Sequence, residues 1–130
     1  MIKYTSPNTG QEVTEPNYIV ELISINKAKK DNNGVLPKKY WNLPKYQKFY
    51  KLQLIAANRL LKKFDAVPII NFIKNSPWIW SLAPKWVADK VVKFQKDYER
   101  ELEARQETEI AQLTERRKPS KEKNNLFGTL

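Results

Sequence analysis

The sequence contains no cysteine and no histidine. Their absence excludes disulfide bonds, thiolate nucleophiles, imidazole acid–base chemistry and metal sites built on these residues. Only three glycines are present, so no glycine-rich loop can cradle a phosphate. The seven carboxylates of residues 1–98 are scattered, and their spacing predicts no coupled acid–base pair. We therefore expect a protein without enzymatic activity, cofactor or metal ion.

Long apolar runs are also missing. The most apolar stretch, residues 66–84, is interrupted by polar side chains and by Pro77, so it does not predict a membrane-spanning helix. The first seven residues lack the apolar core of a secretion signal. We expect a cytoplasmic protein without integral membrane association.

Positive charge is abundant and unevenly distributed. The chain has 24 lysines and arginines against 14 aspartates and glutamates, a formal net charge of +10. Residues 1–98 hold 17 of the basic and seven of the acidic residues, whereas residues 99–118 are close to neutral. Such a charge attracts polyanions, and salt weakens the attraction. The alternative is a lysine-rich surface that reflects an AT-rich genome.

The apolar periodicity predicts an all-α protein, a small compact helical domain of three to four helices with a long protruding C-terminal helix and a flexible tail. Residues 1–16 are expected to form an N-terminal arm or a small hairpin. Residues 17–98 form the basic helical domain, and residues 99–118 form a charged helical extension. Residues 119–130 form the flexible tail, which ends in an apolar motif.

Four helices are predicted in this arrangement. The first covers residues 17–30 with Asn17 as its N-cap, although its β-branched residues leave a strand open as an alternative. The clearest helix covers residues 44–64 and starts with a proline, which suits the first helical position. A third covers about residues 66–75, and the last begins at Pro84.

The helix over residues 44–64 predicts a cationic face. At about 100° per residue, one broad face is apolar and the opposite face is basic, without an acidic residue of the helix between the cations. The basic residues of that face are Lys45, Lys48, Lys51, Arg59, Lys62 and Lys63. Leu52 and Ile55 lie among them, so the face is either partly covered or itself a contact surface. A row of cations suits a nucleic-acid backbone, and a solvated lysine face is the alternative.

Two cations and two aromatic residues follow one another just before this helix. Lys38, Lys39, Tyr40 and Trp41 offer ammonium groups for phosphates and rings for base stacking. The alternative for Trp41 is packing across the first turn of the helix. These four residues and the cationic face together predict a nucleic-acid interface.

Three tryptophans, Trp78, Trp80 and Trp86, surround the turn that precedes the last helix. Residues with such large apolar surfaces dominate protein cores, and we expect these three to pack in the core. The alternatives are an exposed patch that binds another protein and a contact with a membrane surface.

The C-terminal end carries an apolar motif on a polar tether, formed by Leu126, Phe127 and Leu130. Tethered motifs of this kind often capture a protein partner. The Leu126-Phe127 pair resembles the core of the short peptides that bind replication sliding clamps. Those peptides usually carry glutamine three residues before the leucine, where this chain has Lys123, and the acidic residue near the pair is also missing. The resemblance implies a protein partner, and a frayed terminus is the alternative.

Two functions are expected from these patterns. The first is a non-enzymatic nucleic-acid-binding accessory protein, with a phage or another mobile element considered as its source, that contacts DNA or RNA phosphates through the basic helix face. The second is a protein–protein adaptor or assembly component that uses the helix of residues 99–118 and the terminal Leu-Phe motif.

Overall fold

Most of the chain is helical. The computed structural model describes residues 3–117. The elements in chain order are β1 (Tyr4–Thr5), β2 (Glu12–Val13), α1 (Glu15–Asp31), a 3-10 helix (Tyr40–Asn42), α2 (Pro44–Leu61), α3 (Ala66–Lys74) and α4 (Trp86–Arg117). The prediction of a small all-α domain is confirmed. Leu126, Phe127 and Leu130, together with the rest of the predicted tail, lie outside the described residues.

The N-terminal segment forms a short antiparallel hairpin in which Tyr4 lies opposite Val13. Strands of two residues would be marginal by themselves, so the hairpin depends on packing. Tyr4 stacks on Tyr18 of α1, with ring centroids 4.8 Å apart. The hydroxyl of Ser6, in the turn, donates a hydrogen bond to the carboxylate of Glu21. The hairpin is therefore fixed on α1 by one aromatic and one polar contact.

The first helix begins two residues earlier than predicted. Its N-cap is Thr14, and Pro16 lies in the first turn, where a missing N–H leaves no intrahelical bond unmade. Asn17 is thus inside the helix, and its amide donates to Thr14 Oγ1 at 2.7 Å. At the other end, the N–H of Gly34 donates to the carbonyl of Lys29 at 2.7 Å, the bond that defines a Schellman motif. The strand alternative for this segment is wrong, because its β-branched side chains pack in a helical core.

The remaining helices differ from their predicted bounds at the ends. α2 ends at Leu61 and is followed by a turn over residues 62–64, in which the N–H of Phe64 still donates to the carbonyl of Leu60. α3 ends at Lys74, and α4 begins at Trp86 rather than at Pro84. Terminal turns are the least regular part of a helix, so differences of this size are expected from a periodicity argument.

The core lies among α1, α2, α3 and the first part of α4. Its buried residues are Ile19, Val20, Ile23, Ala56, Ala57, Leu60, Ala66, Ile69, Ile70, Phe72, Ile73, Ile79, Leu82, Val87 and Val91. A smaller cluster joins Ala28, Tyr40 and Tyr46, with Trp41 packed against it. Each fully buried aliphatic or aromatic side chain contributes about 1.5–3 kcal/mol relative to its exposed state. This packing fixes the orientation of α2 and therefore decides which of its faces meets solvent.

The described chain divides into two compact units, one ending at Lys96 and one starting at Asp97. The predicted boundary between the basic domain and the charged extension lies two residues later. Within the second unit, Arg105 Nη2 lies 3.9 Å from Glu101 Oε2, the pairing that their spacing predicts. Exposed pairs of this kind contribute only about 0.3–0.5 kcal/mol each.

Candidate nucleic-acid interface

Exposed cations follow the outer face of α2 and the turn after it. We use the name cationic row for its exposed members, which are Lys48, Lys51, Arg59, Lys62 and Lys63. Among the side chains of residues 3–113, no carboxylate lies within ion-pair distance of the four lysines. Leu52 and Ile55 lie among these cations and are 57% and 66% exposed. The described part of the chain therefore leaves this face uncovered.

Lys45, although exposed, is not a free cation as the sequence suggested. Its Nζ lies 3.4 Å from Asp31 Oδ2, and the other carboxylate oxygen of Asp31 accepts a hydrogen bond from Lys27 at 3.1 Å. The hydroxyl of Tyr46 also donates to Asp31, at 3.0 Å. Desolvation opposes ionisation of this carboxyl group, but the hydrogen bonds and the two lysine charges outweigh it and lower the pKa of Asp31. Asp31 arrives from α1, so the helical pattern of α2 could not reveal it.

Arg59 connects the cationic row with the segment that joins α3 to α4. Its Nη2 donates a hydrogen bond to the carbonyl of Ala83 at 3.3 Å. Arg59 lines a groove of about 450 Å³ together with Lys63, Lys85 and Asp89. Three cations against one carboxylate leave this end of the row positively charged.

Tyr40 cannot perform the base stacking predicted for it, because its side chain is completely buried. Its ring packs edge-on against the rings of Trp41 and Tyr46, with centroids 5.4 and 5.5 Å apart. Burial raises the pKa of Tyr40 to about 12. Trp41 is half-buried in the same cluster, which favours the packing alternative. Of the four residues predicted before α2, only Lys38 and Lys39 are exposed.

The connector between α3 and α4 carries an aromatic surface instead. Trp78, Trp80 and Trp86 are 70%, 41% and 47% exposed, so the prediction that they belong to the core is wrong. Ile79 and Leu82 are buried and anchor the connector from within. The three tryptophans line a depression of about 610 Å³, which we name the tryptophan groove. Large exposed apolar patches are uncommon on proteins and usually belong to a surface that binds a partner or a ligand.

Hydrogen bonds fix the connector against α1 and α2. The amide of Gln53, buried on α2, donates to Ser81 Oγ at 3.0 Å and accepts from the N–H of Leu82 at 2.7 Å. On the other side, Asn26 Nδ2 donates to the carbonyl of Ile79 at 2.8 Å. Breaking such bonds would strand buried polar groups at a cost of about 1–3 kcal/mol each. The tryptophan groove is therefore built on a backbone with little freedom.

Cations reach the tryptophan groove from α1. The ammonium groups of Lys27 and Lys30 lie 4.7 and 5.2 Å from the ring centroid of Trp80. Contacts of this kind contribute about 0.5–1 kcal/mol at exposed sites. They place positive charge directly beside an exposed aromatic ring.

The tryptophan groove borders the cationic row at two points. Lys27, which contacts the Trp80 ring, also lines a groove of about 340 Å³ with Lys48. Ala83, which lines the tryptophan groove, accepts the hydrogen bond from Arg59. Arg59 of the cationic row therefore contacts the lining of the tryptophan groove, and Lys48 shares a second groove with a lysine that contacts Trp80.

The spacing of these tryptophans weakly indicates an extended segment, but periodicity alone does not predict which residues are exposed. Trp78 and Trp80 alternate with Ile79, which is typical of an extended segment with two faces. Both faces carry large apolar residues, so the pattern does not say which face lies against the core. The burial of Ile79 and Leu82 and the hydrogen bonds with Gln53 and Asn26 fix the orientation.

The described residues were also compared with the requirements of metal sites and membrane-spanning helices. Within residues 3–117, no three carboxylates lie close enough together to hold a metal ion. None of the described helices has the length and apolarity needed to cross a bilayer. Comparison with protein-family models, curated proteins and solved structures gives no significant match.

Proposed function

We propose that the protein is a non-enzymatic nucleic-acid-binding accessory protein that binds single-stranded DNA or RNA in the cytoplasm, and that it serves a phage or another mobile element. The observation that carries this proposal is the position of the exposed tryptophan groove beside the cationic row. Single strands are bound by this combination of rings and cations.

The cationic row supplies the contacts to phosphates. Its lysines Lys48, Lys51, Lys62 and Lys63 have no carboxylate partner among the described residues, so no internal ion pair must break before a phosphate binds. Each phosphate neutralised by such a lysine releases condensed counterions, which favours binding at low salt.

The tryptophan groove supplies the contacts to bases. The rings of Trp78, Trp80 and Trp86 are open to solvent, and stacking of a base on an aromatic ring contributes about 1–3 kcal/mol. Bases in a duplex are already stacked and their faces are hidden. The groove therefore favours an unpaired strand over a duplex of the same length.

Fluorescence anisotropy with labelled single strands and duplexes tests the proposal. A variant with Lys48→Glu, Lys62→Glu and Lys63→Glu lowers the formal charge by six, from +10 to +4. We expect this variant to lose at least about tenfold in single-strand affinity, because phosphates would face carboxylates. Wild-type protein should also prefer the single strand to the duplex.

A control variant with the same charge change separates local from overall electrostatics. Lys3, Lys29 and Lys74 are exposed lysines that line none of the grooves described above. Changing these three to glutamate should weaken binding clearly less than the change in the cationic row does. Equal losses in the two variants would show that binding follows net charge and has no defined site.

A second candidate function, that of a protein–protein adaptor or assembly component, is favoured by the second unit. Ile110 and Leu113 of α4 are 63% and 47% exposed, and helical spacing places them on the same side as the half-buried Leu102. Sedimentation equilibrium of the full chain tests self-assembly through this face. An oligomer that Ile110→Glu dissociates would support it, and a monomer at all concentrations would argue against self-assembly. The Leu126-Phe127 pair would provide a separate contact for another protein.

A further inference from the structure

Another pocket lies between the hairpin turn, α1, the 3-10 helix and the first half of α2. Its volume is about 350 Å³, at the lower end of the range for small-molecule sites. The aromatic residues that line it are Tyr40, Trp41, Tyr46 and Tyr50. The pocket shares Lys51 with the cationic row and no residue with the tryptophan groove. The inference drawn from it rests on other lining residues and does not depend on the nucleic-acid proposal.

An isolated carboxylate faces this pocket. Glu21 lines it and is only 8% exposed. Its carboxylate accepts a hydrogen bond from the Ser6 hydroxyl, but no ion pair reaches it within the described chain. Burial first, and the charge of Glu21 second, raise the pKa of Tyr50 to about 12. A carboxylate buried without a cation is costly, so a cationic ligand would be stabilised beside it.

A buried hydroxyl group without a partner lines the same pocket. Ser24 lies three residues after Glu21 on α1 and is 3% exposed. Among the described residues its Oγ finds no hydrogen-bond partner, which is unusual for a buried polar atom. Polar atoms in such a position normally bind a ligand or a water molecule. Ser24 therefore provides a second polar contact beside the carboxylate.

We propose that this pocket binds a small organic ammonium ion. The positive charge would lie between the Glu21 carboxylate and the aromatic rings, and a donor of the ligand would bond to Ser24 Oγ. Aromatic pockets with a carboxylate are suited to ammonium groups, because ring faces carry negative potential. Lys51 also lines the pocket, but it is exposed and makes no ion pair with Glu21 among the described residues.

NMR chemical-shift titration of the full chain tests this inference with matched probes. Choline is compared with 3,3-dimethyl-1-butanol, which has the same shape without the charge, and butylammonium is compared with 1-butanol. We expect at least one cation to bind about tenfold more tightly than its neutral counterpart, with shifts at the amides of Glu21, Ser24 and Trp41. Comparison of choline with a peptide that carries trimethyllysine then shows whether the pocket prefers a free ammonium ion or one attached to a protein.

Substitution of the carboxylate provides the second arm. Glu21→Gln keeps the size of the side chain and an acceptor for Ser6 but removes the charge, and Glu12→Gln at the exposed strand β2 is its control. The first change should weaken cation binding at least about tenfold, and the second should leave it unchanged.

Two outcomes would overturn the inference. Either the neutral isosteres bind as tightly as the ammonium ions, or neither choline nor butylammonium shifts a resonance of the pocket. The comparison of probes on the wild-type chain decides the matter even if Glu21→Gln fails to fold.

Discussion

Truncation of the most exposed tryptophan offers the sharpest distinction between a binding surface and a structural one. Trp78 is 70% exposed, so less than a third of its surface lies against the protein. If about 75 Å² is lost from the packed side at about 25 cal/mol per Å², Trp78→Ala lowers the free energy of unfolding by no more than about 2 kcal/mol. The fold should therefore survive the change.

The effect on binding should be larger than the effect on stability. Loss of one base stack removes about 1–3 kcal/mol of binding free energy, which weakens single-strand affinity about 5- to 150-fold. Because tryptophan is uncharged, the dependence of affinity on salt should stay the same in the variant. Anisotropy titrations at several salt concentrations measure both quantities, and urea unfolding measures stability.

A matched substitution controls for the loss of an exposed apolar side chain. Val35 is also exposed but lies outside the tryptophan groove, so Val35→Ala should leave affinity unchanged. If Trp78→Ala binds as tightly as wild type, the groove makes no contact with bases. If its salt dependence changes as well, the loss comes from phosphates and the stacking explanation is wrong.

Further predictions concern titratable groups and a buried hydrogen bond of the described fold. The lowered pKa of Asp31 means that its charged form adds stability above its ordinary pKa of 3.8, and that this contribution disappears as the pH falls through the lower folded value. Urea unfolding should thus show Asp31→Asn less stable by about 1 kcal/mol at neutral pH but equal to wild type in strong acid, and a constant difference would contradict this. Neutral Tyr40 and Tyr50, each with a pKa near 12 instead of 10.0, add stability below pH 10 that is lost between pH 10 and 12. Tyrosinate absorbance should therefore show late titration at these two residues, and a single step at pH 10 would refute their burial. Gln53→Leu strands the N–H of Leu82 and should cost about 1–3 kcal/mol in urea unfolding, so an unchanged midpoint would show that water replaces the bond.

Periodicity was sufficient to predict the helices and the inward face of α2. Tyr46, Gln53 and Leu60 fall on the predicted inner side and are buried. This works because each position on a helix has a fixed angle, so a single apolar stripe defines the orientation. The exposed lysines opposite that stripe could be predicted for the same reason.

Contacts between distant segments could not be predicted in this way. Asp31 neutralises Lys45 from another helix, and the connector turns Trp78 outward because Gln53 bonds its backbone. Tyr40 is buried against Ala28 of α1, and its hydroxyl donates a hydrogen bond to Asn8 in the hairpin turn. In each case the partner residue is remote in sequence, so composition and local spacing do not predict the contact.

The salt dependence of single-strand binding tests the central claim most directly. If Lys48, Lys51, Lys62 and Lys63 each neutralise one phosphate, the logarithm of affinity should fall with the logarithm of salt concentration at a slope of about −2.8 for a single strand. The Lys48→Glu, Lys62→Glu, Lys63→Glu variant should reduce that slope to less than half. A wild-type slope near zero, or the same slope in the variant, would contradict a phosphate contact along α2.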